Sequence, residues 1–168
     1  MKIINNTDLA LNALETTKIG FQKLVSEIAE EEMDFPSKIT KRSIRGVIAH
    51  ILISMEKAYP MLLRRARKQK PMPHFFGTKA GHYFSYKFSE YRGKQMGNHE
   101  AIVATYNKLN EHLITLEKEI QNDEWHLCTR LPKPNNRSLN ILEIFTQQIP
   151  NHFDVHKNEV LQSLKGKE

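Results

Sequence analysis

Four stretches of this chain repeat apolar residues at three- and four-residue steps, and that period restricts it to a helical fold. Leu11, Leu14, Phe21, Leu24, Val25 and Ile28 mark a first helix over residues 8 to about 32, with Thr7 as N-cap and Asp8 in its first turn. Ile44, Val47, Ile48, Ile51, Leu52 and Met55 mark a second, capped by Ser43 and running to about Arg67. Pro60 falls inside it, so a kink or an early end is expected there. Ile102, Tyr106, Leu109, Leu113, Leu116 and Ile120 give a third from Asn98 to about Asn122, with Glu111, Glu117 and Lys118 toward water. A fourth starts near Asn140, where Glu143 stands at capping-box spacing. Its stripe is Ile141, Ile144, Phe145, Gln148, Ile149, His152, Val155, His156 and Glu159, with a bend expected at Pro150.

Between the second and third helices lies a long connection, residues 71–98, with four glycines and two prolines. It also holds Phe75, Phe76, Tyr83, Phe84, Tyr86, Phe88 and Tyr91, and so many rings are expected to pack over the bundle, as a lid or pocket wall. Phe84, Phe88 and Tyr91 are spaced for a short helix within it. A connection of this length lets helices two and three run parallel. The fold class expected is therefore all-α: a four-helix bundle, up-down-down-up, with a long aromatic-rich crossover between helices 2 and 3. The 168 residues are read as a single domain.

The histidines carry the chemistry. His152 and His156 are four apart and share one helix face. Because that face is the apolar one, both rings point inward. Helices two and four are antiparallel in this topology. At 1.5 Å per residue His50 then lies ~9–10 Å from the start of helix two and His156 ~14 Å from the end of helix four, which brings all three to similar height. Three neutral imidazoles facing one point make an open metal site, since a closed structural site requires a fourth protein ligand. Glu159 lies on the same stripe, placed either to orient an imidazole or to accept a proton. Gln148, one turn before His152, is a weaker candidate for the same orienting role.

The segment Ser43-Ile44-Arg45-Gly46-Val47-Ile48-Ala49-His50-Ile51, followed about a hundred residues later by His152-x-x-x-His156, resembles the DinB-like (YfiT-like) superfamily. The resemblance implies a four-helix bundle binding a divalent metal, typically zinc or nickel, through His50, His152 and His156. It also implies a metal-dependent hydrolase or a thiol-dependent transferase, the latter with a low-molecular-weight thiol as co-substrate. The chain departs from the family pattern at Lys41-Arg42, where relatives often carry Trp, and at Lys157-Asn158-Glu159, where they often have Arg-Gly-Gln.

Charge supplies the rival reading. Net charge is +6, and Arg64, Arg65, Arg67, Lys68 and Lys70 fall within seven residues. Such a run closes a helix by opposing its negative end; with the aromatic stretch it would also suit a non-catalytic module binding nucleic acid. A small-molecule substrate is the expected partner, nucleic acid is disfavoured, and an exposed bundle face allows a homodimer. Cys128 stands alone, read as a small packed residue, and excludes an internal disulfide. No run approaches a membrane span by this reading, and Asn5, Asn6, Thr7 and Asp8 stand where a secretory leader needs apolar residues, so a cytoplasmic protein is expected.

Overall fold

The computed structural model describes residues 5–165. Helix α1 is Asn6–Ser26, capped by Asn5, whose side chain accepts from the Asp8 amide at 2.7 Å. The cap thus lies two residues before Thr7, and the helix stops short of the acidic triplet Glu30–Glu32, which forms a separate 3₁₀ turn. Helix α2 is Ile44–Arg67, capped by Ser43, which accepts from Gly46 N at 2.9 Å. Helix α3 is Lys79–Lys94 and α4 is His99–Lys118. A two-stranded antiparallel ribbon, β1 (Cys128–Arg130) with β2 (Ser138–Asn140), precedes the last helix, α5, over residues 141–164. Asn140 and Glu143 form the expected capping box.

Neither proline ends its helix. A π turn occupies Ser54–Ala58 in α2, where the Tyr59 amide reaches back to the carbonyl of Ser54. Another occupies Ile144–Gln148 in α5, where the Ile149 amide reaches that of Ile144. Pro60 and Pro150 each follow directly. A proline ring collides with the carbonyl four residues back, and widening that one turn relieves the collision. The helix runs on through both.

Neighbouring residues give the directions. Phe21 stacks on Tyr106 with ring centroids 4.0 Å apart, and Gln22 donates to Asn107. The grooves beside α2 pair residues 49–56 with 101–109 and residues 60–68 with 116–120, so α2 and α4 run parallel. His50 and Tyr59 both meet His152, while Thr40, ahead of α2, meets Glu159, so α2 and α5 are antiparallel. The bundle is up-down-down-up. Its core includes Leu14, Phe21, Ile48, Tyr106, Leu113 and Phe145, each essentially inaccessible.

The crossover is more regular than its composition suggests. It contains the 16-residue helix α3, packed antiparallel along the start of α2. Two glycines permit the close approach: a Cβ on Gly93 would lie 3.1 Å from the Arg45 carbonyl, and one on Gly46 would strike the Glu90 carboxylate. Glu90 is fixed there by accepting from the Ser43 amide at 2.8 Å.

Several side chains are placed otherwise than the sequence implied. Glu117 is 1% exposed on the face of α4, where burial raises its pKa against the influence of Thr7. Val155 is 63% exposed, lying a full residue step round the helix from His156. Cys128 is exposed rather than packed. The six rings from Phe75 to Tyr91, Tyr86 aside, are 44–61% exposed and form a surface. The basic run does close α2, with Arg67 bonded to Glu124 at 2.8 Å. Ile44–Arg67 has the length and mean hydropathy (1.2) of a membrane span after all, but 61% of its most apolar window is buried in the bundle.

Gly46→Ala should lower unfolding free energy by about 1–3 kcal/mol, because the new methyl must displace Glu90 from the Ser43 cap. Urea denaturation of the two proteins reads this; an unchanged midpoint would mean that the crossing is not tight at Gly46.

Candidate metal centre

His50 comes from the second turn of α2, and His152 and His156 from successive turns of α5, so the antiparallel packing of those helices assembles the trio. Each ring offers one nitrogen, and the three lie within 4.8 Å of one another. The Nε2 atoms of His50 and His152 are 3.2 Å apart. The ring centroids are 4.6–5.1 Å apart, edge to face.

The outer nitrogen of every ring is engaged. His152 Nδ1 meets the Tyr59 hydroxyl at 2.8 Å, His50 Nδ1 meets the Ser85 hydroxyl at 3.4 Å, and His156 Nδ1 donates to Glu159 Oε2 at 2.9 Å. Glu159 is 2% exposed. Its other oxygen, Oε1, accepts from Ser37 and Thr40 in the connection between α1 and α2. The carboxylate therefore joins that connection to His156 and leaves neither oxygen idle. Gln148, half-buried within the π turn, has no such link to the trio among the described hydrogen bonds.

Electrostatics keep His50 and His152 uncharged. Burial, then the neighbouring His152, Arg42 and His156, press the pKa of His50 down to about 2. Burial, His156 and Arg42 press that of His152 down to about 3. For Glu159 burial acts upward, but hydrogen bonds from His156, Ser37 and Thr40 outweigh it and hold the carboxyl at about 2. Neutral imidazoles and an ionised carboxylate are the protonation states that cation binding requires.

The donor set fits a divalent ion. Bonds of ~2.0–2.1 Å in tetrahedral array need ligand nitrogens roughly 3.3 Å apart, close to the separation between His50 and His152. A ring that gives Nε2 to a cation must carry its proton on Nδ1, and hydroxyl and carboxylate oxygens can all accept it.

Tyr59, Ser85, Ser37 and Thr40 escaped the sequence reading. Tyr59 lies nine residues beyond His50, roughly opposite it on an unbroken α-helix, and the π turn between them rotates it back. Ser85 lies on the crossover helix. Glu159 and its i, i+3 partner His156 share one stripe and were legible.

No family model matches the chain, and no curated protein matches it. Among solved structures it is similar to YfiT from Bacillus subtilis, described as "a probable metal-dependent hydrolase with an unusual four-helix bundle topology". The TM-score is 0.67 at 12% identity, covering 95% of this chain and 87% of that one. The fold is that of YfiT.

The depressed imidazoles make stability depend on pH in one direction. In the unfolded chain they take up protons near the ordinary 6.5, whereas in the fold His50 and His152 do so only near 2–3. Between those values the unfolded state binds more protons, so stability falls as pH falls. Glu159, depressed from 4.5, adds to the loss lower in the range. Metal-free protein should thus show a lower urea midpoint at pH 4.5 than at pH 7. In the double variant His50→Ala/His152→Ala the drop should be smaller, and an equal drop would remove the imidazoles as its source.

Proposed function

We propose that this chain is a metal-dependent enzyme of hydrolase type, holding one divalent ion, zinc or nickel, through His50, His152 and His156. The observation that carries the reading is the convergence of three imidazoles whose outer nitrogens are all anchored by groups able to accept a proton. The fold it shares with YfiT is consistent with that reading. Three protein ligands leave a position free, which is the arrangement of catalytic rather than structural sites.

Zinc or nickel bound there supplies Lewis acidity and a nucleophile at neutral pH. The chain supplies orientation. Glu159 holds the proton of His156 on Nδ1 and keeps Nε2 facing inward, while Ser37 and Thr40 hold Glu159. We assign Glu159 to positioning rather than to proton abstraction, because protein donors already occupy both its oxygens. The Tyr59 and Ser85 hydroxyls are placed to accept the corresponding protons of His152 and His50 once an ion takes the inner nitrogens. The partner in this reading is a small molecule. The walls beside His50 and His152 are mostly apolar, which favours hydrolysis of an apolar molecule over transfer to a polar low-molecular-weight thiol.

Metal-stripped protein titrated with zinc or nickel should take up one ion per chain by elemental analysis, with a rise in melting temperature. Each of His50→Ala, His152→Ala and His156→Ala should abolish stoichiometric uptake. Glu159→Gln should weaken it roughly 10–100-fold. A screen of esters, amides and thioesters should find turnover that disappears with the ion. Uptake that is substoichiometric and indifferent to all three histidines would overturn the metal centre. A stoichiometric ion without turnover of any of these would overturn the hydrolase.

A further inference from the structure

A cavity of about 610 Å³ opens beside the trio, with His50 and His152 among its lining residues. That size lies within the usual range for small-molecule sites. One side is α2, through Ile53, Ala58 and Met61; the other is Phe75, Phe76, Phe84 and Phe88 from the crossover.

The aromatic wall is built, not incidental. Thr78 caps α3 by accepting from Gly81 N at 3.0 Å, and its hydroxyl donates to the Phe75 carbonyl at 2.8 Å. Gly81 has no Cβ where the Phe75 carbonyl presses against it. These bonds fix the turn His74–Gly77 onto the start of α3, with the Phe75 and Phe84 rings 6.0 Å apart. The rings nonetheless remain 44–61% exposed, because the space between them and α2 is open. Clustered aromatic surface of this kind is uncommon on a folded protein unless something covers it.

The hydroxyls in the same walls are already committed, and Lys57 and His82 lie at the exposed rim. The Ser54 hydroxyl donates to the His50 carbonyl at 2.9 Å, Ser85 faces His50 Nδ1, and the Lys57 ammonium pairs with Glu56 at 2.8 Å. Little is left to recognise a charged or heavily hydroxylated molecule.

We propose that the substrate of this site carries an uncharged apolar body, aliphatic or aromatic, that fills the cavity between α2 and the Phe75–Phe88 wall. Its reacting polar group then points to the His50 and His152 end. The inference rests on the metal-enzyme reading for the word substrate, and on the cavity alone for the chemistry of the occupant. Covering the four rings supplies the affinity, and the histidine end supplies the polar direction that meets the reacting group.

The neutral fluorophore N-phenyl-1-naphthylamine tests it on the full chain, metal-free and metal-loaded. Saturable binding of about one probe per chain is expected, weakened tenfold or more in Phe84→Ser/Phe88→Ser and in the cavity-filling Ala58→Phe. Phe84 and Phe88 are exposed enough for the first variant to fold, which circular dichroism checks. Displacement by butanol, hexanol and octanol should strengthen by roughly fourfold per methylene. No saturable binding, binding unmoved in both variants, or displacement that is flat along the series overturns the inference. Metal uptake is measured on the same samples. Protein that takes up one ion but ignores the probe loses the apolar substrate and keeps the metal centre. Protein that binds the probe but no ion loses the metal centre, and the occupant is then not a substrate.

Discussion

The junction of α2 and α5 depends on packing three imidazoles together with a hydrogen-bond partner at the outer nitrogen of each. A charged ring there would carry a large desolvation cost, and three like charges within 5 Å would add repulsion. The fold answers with acceptors and weak donors on the outside of each ring: a carboxylate for His156, a phenol for His152 and a serine for His50. Each comes from a different part of the chain, so the connection before α2, the second half of α2 and the crossover helix are all held to one point. Glu159 shows the coupling most directly. It fixes His156 from its own helix and, through Ser37 and Thr40, fixes the segment that leads into α2. The site and the first connection are thus one hydrogen-bonded unit.

The trio was legible because its members avoid the irregular turns. His50 precedes the π turn of α2, and His152 and His156 both follow that of α5, so simple helical phase holds within each group. Direction then needed only the parallel course of α2 and α4, which the length of the crossover allowed. Tyr59 shows the limit of that reasoning. It lies beyond the π turn, and no count at 3.6 residues per turn brings it to His152. Nor does periodicity reveal that a carboxylate such as Glu117 will sit on the covered side of α4.

The crossover helix inverts the usual surface pattern for a physical reason. A surface helix normally turns its large apolar side chains inward and its small or polar ones out. Helix α3 does the reverse. Gly81, Ser89 and Gly93 are on its buried side, because it crosses α2 too closely for anything bulkier, and Gly46 yields the same space from α2. Tyr83, Phe84, Phe88 and Tyr91 are left outside. Hydropathy alone sends those rings to the core. Close packing keeps them off that contact, and Phe84 and Phe88, flanking it, become the wall facing His50. The inverted pattern thus produces both the tight crossing and the open apolar cavity.

The hydrogen bonds also indicate how the rings would respond to an ion bound as proposed. Glu159, ionised, can only accept, so His156 carries its proton on Nδ1 and already offers Nε2. Between His50 and His152 the two Nε2 atoms lie 3.2 Å apart, and such a contact needs one proton between them. The Tyr59 hydroxyl, with burial opposing its ionisation, keeps its proton and can donate to His152 Nδ1 or accept from it. If it donates to His152 Nδ1, then His152 holds its proton on Nε2 and gives it to His50, whose own proton faces Ser85. Two of the three rings are then preset for a cation. His152 is the exception: its proton must move to Nδ1, and its bond with Tyr59 must reverse, before its lone pair is free. In that arrangement the cost of assembling the site is concentrated at one imidazole, and the phenol beside it is the group that sets that cost.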